Sequence, residues 1–576
     1  MKHIMPYLKL HKLETILAPL FKMLEASFDL IVPLVVAKII NVGIANEDQE
    51  YILMHFGILI LMALLGLACS FTAQYFAAKA AIGTSTGLRH QLLQHIQQLG
   101  FAEIDSLGTS TLITRITSDV NQVQNGLNMF LRLFLRSPFI VFGALILAFT
   151  IDRDVALIFM VVIPLLFAIV LGIMYLTNPL YKKTQHSLDT VTLSIRENLS
   201  GVRVIRAFGR EEAETEHFQA VNEELVENQL KVGRISAMLN PMTYVVVNIG
   251  IITILWLGAY KVHSGVLLPG NVIALVNYIS QILVELVKLT NLVAILGRSI
   301  ASMGRIGQVL ELESVLTFGN MSLGKQKNKE VIRFDHVSLK YPDAAADSLT
   351  DISFCAMRGQ IIGIIGGTGS GKSTLVNLIP RFYDATAGQV YLMGRPITHW
   401  DKETLRKQVA VVMQKAQLFS GTIRSNLLWG KEDATDEELW EALELAQAAE
   451  FVREKPGQLD EPVEQGGRNL SGGQKQRLTI ARGLVAKSDI LILDDSSSAL
   501  DYATDAALRK SLNQLPKDMT IFIVSQRTSS IQQADQILVL DDGQLVGCGR
   551  HEQLLENCQV YQEIYESQFR KERLSN

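Results

Sequence analysis

Six long apolar runs dominate the first half of this 576-residue chain. They lie near Ile16–Val42, Tyr51–Ala81, Leu133–Ile151, Val155–Leu176, Ala237–Tyr260 and Asn271–Leu296. Each is long enough to cross a bilayer, which takes about 20 residues, and the second and sixth extend beyond a bare span. Six such core helices in one soluble domain is a poor alternative, so this half is expected to be a helical membrane domain. The intervening loops alternate in length. Gly43–Glu50, Asp152–Asp154 and Val262–Gly270 are short, whereas Gly83–Leu131 and Thr177–Arg234 are long, polar and helix-like. The long loops carry Arg89, Arg115, Lys182, Lys183, Arg196, Arg203, Arg206, Arg210, Lys231 and Arg234, and the short ones little more than Arg153 and the flanking Lys261. Basic residues collect on the cytoplasmic side, so the long loops and the N-terminus are expected there, with helices that continue well past the membrane. The amphipathic start, MKHIMPYLKLHKLE, has no small-residue cleavage site after a signal-like core and reads as a retained cytoplasmic segment.

Composition narrows the class further. Mean hydropathy is +0.23, high for a soluble protein. Net charge is −4 with 19% charged residues, so no basic field points to nucleic acid. Cys69, Cys355, Cys548 and Cys558 show no C-x-x-C spacing, which indicates neither a disulfide framework nor a metal site. Glu25 and Asp29 lie four apart on the first span and share a helix face, with Lys22 one turn earlier. Ionisable groups inside a span are costly and usually face a cavity or a partner. Lys22 with Glu25, and Glu285 with Lys288, are spaced to pair locally, whereas Asp29 has no partner at such spacing and is a candidate for the substrate cavity together with Glu25.

Polar sequence follows Arg298, and the loose run over 301–329 reads as a linker between a membrane domain (1–300) and a soluble α/β domain (330–576). Apolar strands are expected at Val331–Phe334, Ile361–Ile365, Val409–Val412, Ile490–Leu493, Thr520–Val524 and Gln536–Leu540. The second of these leads into Gly366, Gly367, Thr368, Gly369, Ser370, Gly371, Lys372 and Ser373, which fits G-x-x-x-x-G-K-[ST]. Glycines let backbone N–H groups curl round a phosphate, Lys372 would reach the β and γ phosphates, and the Ser373 hydroxyl would ligate Mg²⁺. Thr374 opens the helix that follows, its N-terminus turned to the anion. This is a nucleotide site by pattern.

Further motifs in a fixed order resemble the nucleotide-binding domain of ABC transporters. Ser471, Gly472, Gly473 and Gln474 follow Leu470 as the family signature. Ile490–Asp494 is similar to a Walker B strand ending in a Mg²⁺-directed aspartate, and Ser498, Ala499, Leu500 and Asp501 form the D-loop. Gln414 matches the Q-loop glutamine, which also serves the metal, and Tyr341 stands where the family stacks an aromatic ring on adenine. The resemblance covers essentially the whole chain and implies a type IV exporter half-molecule. A signature completes the opposing subunit's P-loop, so one P-loop with one signature requires a second half-transporter. LGTSTLITRITSDV (Leu107–Val120) and the stretch Ser194–Glu214, with Arg206, Ala207 and Phe208, resemble the regions around the coupling helices that dock on the nucleotide-binding domains.

Two departures from the family qualify that reading. The catalytic glutamate expected after Asp494 is Asp495, and the switch histidine expected before Arg527 is Gln526. A carboxylate one methylene shorter retracts by about 1 Å, a misplacement that costs on the order of 10²-fold. Glutamine accepts and donates hydrogen bonds but does not titrate near neutral pH. Glu464–Asn469, ahead of the signature, also departs from the usual form. The pattern is similar to the degenerate-site subunit of heterodimeric bacterial multidrug exporters of the LmrCD, EfrCD and BmrCD type. It implies ATP and Mg²⁺ as cofactors, hydrophobic and cationic drug-like substrates, and a bacterial plasma membrane. A homodimeric lipid or peptide exporter and a nucleotide-binding regulatory subunit are the alternatives.

Overall fold

The computed structural model describes residues 4–322, 329–342 and 344–574. It divides into two compact units, residues 1–97 with 110–311, and residues 98–109 with 312–576.

The first unit is all helix. The chain runs through α1 (Lys12–Lys38), continued by a π-helical turn over Ile39–Ile44, and α2 (Gln49–Gln98). Next comes the short α3 (Phe101–Leu107), which belongs to the second unit. Then follow α4 (Val120–Leu133), α5 (Arg136–Ile151), α6 (Arg153–Ala207), α7 (Glu211–Ala237), α8 (Leu239–His263) and α9 (Pro269–Leu310). Among the described residues, six helical stretches are long and apolar enough to span a membrane. Leu61, Phe71, Phe142, Ile146, Val161 and Trp256 on them are exposed, as lipid-facing side chains are. Helices α2 and α6 run unbroken far past a bilayer's thickness, as the long polar loops suggested. Residues 301–310, expected as the start of the linker, are instead the last turns of α9, because Ile306 and Val309 are buried against the bundle.

Small residues and side-chain-to-backbone bonds seat α9 on α1. A Cβ at Gly270 would lie 2.5 Å from the Ala37 carbonyl oxygen, so only glycine allows that approach. Asn41 accepts from the Gly270 N–H at 2.7 Å, and the buried Tyr278 hydroxyl donates to the Leu30 carbonyl at 2.8 Å. At the short-loop end, Asp152 caps α6 by accepting from the N–H groups of Asp154 and Val155, and Lys261 donates to it at 2.7 Å. In the extension beyond the spans, buried Asp119 accepts from Arg115 at 2.8 Å and from Arg305 Nε at 3.1 Å.

Among the described residues the second unit holds two main sheets and a small two-stranded pairing of Gly421–Thr422 with Pro462–Val463. Strands β1 (Glu330–Leu339), β2 (Leu349–Met357), β4 (Ala387–Leu392) and the short β5 (Arg395–Pro396) form an antiparallel sheet in the order β2-β1-β4-β5. The larger sheet contains β3 (Ile361–Gly366), β6 (Val409–Val412), β7 (Ile490–Asp494), β8 (Thr520–Val524), β9 (Gln536–Asp541) and β10 (Gln544–Gly549). Its order is β10-β9-β3-β8-β7-β6, parallel except for β10. Burial on both faces explains why these strands read as nearly continuous apolar runs. One core, with Phe334, Phe354, Ile364, Leu375 and Phe522, lies between the sheets. A second, with Leu439, Ile480, Leu491 and Leu493, packs helices on the far face.

The segment of the first half that belongs to the second unit is α3, just upstream of the expected Leu107–Val120. Phe101 stacks on Phe382 with centroids 4.4 Å apart, and Glu103 accepts from the Val315 N–H at 3.0 Å. In the second stretch, Ser194–Glu214, Phe208 is exposed just beyond the end of α6.

Burial alone would raise the Asp119 carboxyl, but Arg305, Ser302 and Arg115 hold it below its ordinary value of 3.8. A depressed carboxylate adds stability above the unfolded pKa and loses it as pH falls through the folded one. Asp119→Asn should therefore lower the melting temperature of the detergent-solubilised protein at neutral pH, an effect of about 1.5–3 kcal/mol for lost hydrogen bonds to a charged group. The gap from wild type should close as the pH falls below 3.8.

Candidate functional site

The ATP site forms where parallel strands β3, β8 and β7 end side by side. Every residue of β7 is buried, and Asp494 at its end is in register with Val524 of β8. A Cβ at Gly366 would lie 2.1 Å from the Leu540 carbonyl oxygen, so the strand can turn into its loop only with glycine there. Gly369 and Gly371 adopt φ of +85° and +90°, which favours glycine on backbone grounds. Beyond them Lys372–Leu378 forms α10.

The loop borders a cavity of about 450 Å³. Thr368, Gly369, Gly371, Lys372, Ser373 and Thr374 line one side of it, and Gln414, Asp494, Asp495 and Gln526 also reach it. Residues from four separate stretches of sequence thus converge. Gly366, Gly367 and Ser370 do not border the cavity, and the Lys372 ammonium donates to the Gly367 and Gly366 carbonyls at 2.6 and 3.1 Å. Ser373 Oγ donates to Asp494 Oδ1 at 3.0 Å, and Gln414 Nε2 donates to Asp495 Oδ2 at 3.1 Å. Burial raises both aspartates, opposed at Asp494 by the Ser373 bond and at Asp495 by Gln414, Lys372 and Arg527. Burial lowers Lys372, against the pull of Asp495 and Asp494.

These donors suit ATP with Mg²⁺. A hydroxyl and a carboxylate already within hydrogen-bond distance are the hard oxygen ligands a small divalent cation takes, its remaining positions going to phosphates and water. Ser373 and Asp494 would hold the ion, with Gln414 beside them. A cation there would also bring the raised aspartates back toward their charged forms.

Asp495 has an unusual backbone. Its φ is +44°, a left-handed conformation uncommon outside glycine, and its N–H donates to the Val524 carbonyl at 3.0 Å. The adjoining strand therefore fixes where its short carboxylate can reach. Gln526 borders the same cavity, and its own carbonyl accepts from Gln568 at 2.7 Å.

The signature residues do not border this cavity. Ser471 caps α11 (Gly472–Val485), accepting from the Gln474 N–H at 3.3 Å, while the Gln474 side chain accepts from the Ser471 N–H at 3.0 Å. Ser471 and Gly472 are exposed, and a Cβ on Gly473 would meet the Ala499 carbonyl at 3.3 Å. In the D-loop Ser498 and Ala499 are exposed, Leu500 is buried, and Asp501 caps α12 (Tyr502–Leu512).

Tyr341 stands beside the P-loop, its hydroxyl donating to Thr374 at 3.3 Å. Its ring meets Tyr383 edge to face at 5.1 Å, and the Tyr383 hydroxyl donates to Asp105 of α3. Sequence reasoning missed Tyr383, since 278 positions separate it from Asp105 and no local pattern reports that contact. It also missed the rim residues Asp542 and Gly543, although an Asp-Gly pair after an apolar strand is a turn signal.

The membrane acids are placed as follows. Lys22 donates to Glu25 at 2.6 Å, the local pair expected from spacing. Lys288 donates to Glu285 at 2.9 Å, but Glu285 also accepts from Arg136 at 2.6 Å and from Ser137 at 2.7 Å. Asp29 has no partner one turn away on its own helix, as its spacing implied, but Arg136 of α5 donates to it at 2.9 Å. Spacing along one helix cannot reveal a partner on another.

If Tyr341 stacks on adenine, Tyr341→Ala should weaken binding of a fluorescent ATP analogue about five- to tenfold. Tyr341→Phe keeps the ring and should bind nearly as wild type in the same equilibrium titration.

Comparison with known proteins agrees with this geometry. The chain matches the family model for the ABC transporter transmembrane region over residues 15–286 and that for the ABC transporter over residues 349–498. It is 36% identical to the uncharacterized ABC transporter ATP-binding protein YfiB of Bacillus subtilis, over 99% of each chain. It is 35% identical to Rv1273c of Mycobacterium tuberculosis, an uncharacterized ABC transporter ATP-binding protein, over 98% of this chain and 97% of that one. The ATP-dependent lipid A-core flippase of Vibrio vulnificus is 28% identical, over 99% and 97% respectively. A bacterial Atm1-family ABC exporter solved with ATP bound shares the fold at TM-score 0.81 and 22% identity, covering 97% of this chain and 99% of that one. With six candidate spans ahead of one P-loop domain, the chain belongs to the ABC transporter family.

Proposed function

We propose that this chain is one half of a heterodimeric exporter of hydrophobic, drug-like compounds in a bacterial plasma membrane, and that it carries the weaker of two ATP sites. The N-terminus and the nucleotide-binding domain lie on the cytoplasmic side, as the basic long loops suggest. Two ATP close the paired domains, the membrane helices open outward, and hydrolysis resets the pump.

The observation that carries this reading is Asp495. It occupies the place of the general base with a shortened carboxylate, on a backbone tethered to β8, and Gln414 occupies one of its oxygens. A base must reach the water it activates, and a misplacement of about 1 Å is costly. Gln526, at the switch position, cannot supply a titrating imidazole. By contrast Ser471 is an intact, exposed N-cap with its glycines accessible, suited to complete a competent site on a partner's P-loop.

A lipid-exporting homodimer is the second reading, favoured by the relatives named lipid A-core flippase. Steady-state ATPase of the purified pair separates the two. In a heterodimer with one weak site, Asp495→Asn should lower turnover only partially, while Ser471→Arg should nearly abolish it. Two equivalent sites predict that losing Asp495 is at least as severe as losing Ser471.

A further inference from the structure

Four ionic groups inside the membrane unit form one chain of alternating charge. Asp29 of α1 accepts from Arg136 of α5 at 2.9 Å, Arg136 donates to Glu285 of α9 at 2.6 Å, and Lys288 donates to Glu285 at 2.9 Å. The two middle groups are buried, with side chains 10% and 4% exposed, whereas the end groups Asp29 and Lys288 are 45% and 41% exposed. All four border a cavity of about 350 Å³ that Asn277 and Gln281 also line. Two buried atoms of that wall have no hydrogen-bond partner: Arg136 Nε, in a residue only 9% exposed, and Gln281 Oε1. An unmet donor and an unmet acceptor on one wall are what a ligand with both functions would satisfy.

The depth of the cluster argues against an ordinary surface ion pair. Asp29, Arg136 and Glu285 each lie about fifteen residues, roughly 22 Å of helix, from the short-loop ends at Ile44, Ile151 and Pro269. They therefore share one level within the roughly 30 Å hydrocarbon thickness. Charges at that level are costly and face a cavity or one another. Here the middle pair is sealed, and the outer ends present one carboxylate and one ammonium to the cavity. With Lys22 and Glu25 paired alongside, the group is balanced at three acids and three bases.

We infer that this cavity binds the zwitterionic head of an amphiphile, its cationic end against Asp29 and its anionic end against Lys288, while the tail lies among the apolar helices. Asp29 and Lys288 each keep an internal partner, in Arg136 and Glu285, and a singly charged head would add a second partner at one end only. The inference rests on the transporter reading only for the fate of the bound molecule, because binding itself requires no ATP.

The test is photo-crosslinking of a diazirine-tailed phosphocholine to the full-length protein in nanodiscs without nucleotide, mapped to peptides by mass spectrometry. Competitors of equal chain length carry phosphocholine, trimethylammonium or sulfate heads. Wild type should crosslink in α1, α5 or α9 near the cluster, with phosphocholine competing at about tenfold lower concentration than either single charge. Asp29→Asn should abolish the preference over sulfate, and Lys288→Gln the preference over trimethylammonium. Both replace exposed ends and leave the Arg136–Glu285 pair intact, and the wild-type competition order stands as a test even if a variant fails to fold. Crosslinks elsewhere, trimethylammonium competing best in wild type, or an order that neither substitution changes would overturn the inference. A protein that crosslinks as expected but does not move substrate would refute only the export reading.

Discussion

Two carboxylates and an ammonium are buried together at the ends of adjacent parallel strands, and the nucleotide half is arranged around that cost. Asp494, Asp495 and Lys372 are all nearly inaccessible, in a place where burial disfavours the charged form of each. Their mutual attraction and the bonds from Ser373 and Gln414 offset part of that penalty. The register of β8 against β7 holds the aspartates side by side, and Gly366 lets β3 turn so that Lys372 comes back over its own loop. A phosphate chain with a divalent cation is the partner that such a preorganised, charged site is suited to receive. A shift of Asp495 of even a fraction of an ångström therefore changes the chemistry rather than the fold.

The membrane half meets the same problem in a harsher solvent. Its three clustered acids are each matched to a base, two by neighbours one turn away and one by a residue on another helix. Arg136 joins α5 to α1 and α9 at once, so the pairing also ties three helices together at one level. Away from that level the helices are held by close backbone approach, as at Gly270, and by hydroxyl-to-carbonyl bonds such as Tyr278 to Leu30.

The parts of this structure that were legible in the sequence are those whose signal is local. The spans are long apolar runs, the P-loop is contiguous, and the central strands are buried on both faces. Strands β2, β4 and β10 escaped notice because their exposed positions interrupt the apolar pattern, β10 alternating between exposed and half-buried throughout. The π-helical turns over Ile39–Ile44 and Arg115–Asp119 carry no sequence mark that distinguishes them from α-helix. Contacts between distant stretches were the least accessible, and both that matter most, Arg136 with Asp29 and Tyr383 with Asp105, join residues more than a hundred positions apart. The identity of Asp495 and Gln526 was plain from sequence, whereas the left-handed backbone and the Gln414 bond that constrain Asp495 were not.

The central claim is that these two residues, and not the rest of the domain, make this ATP site slow. Steady-state ATP hydrolysis by this chain purified alone tests it most directly, comparing wild type with the double substitution Asp495→Glu and Gln526→His. The account predicts very slow turnover in wild type and a rise of at least about tenfold in the double variant, within the roughly 10²-fold span that a repositioned base can recover. Brisk hydrolysis by the wild-type chain, unchanged by the double substitution, would contradict it.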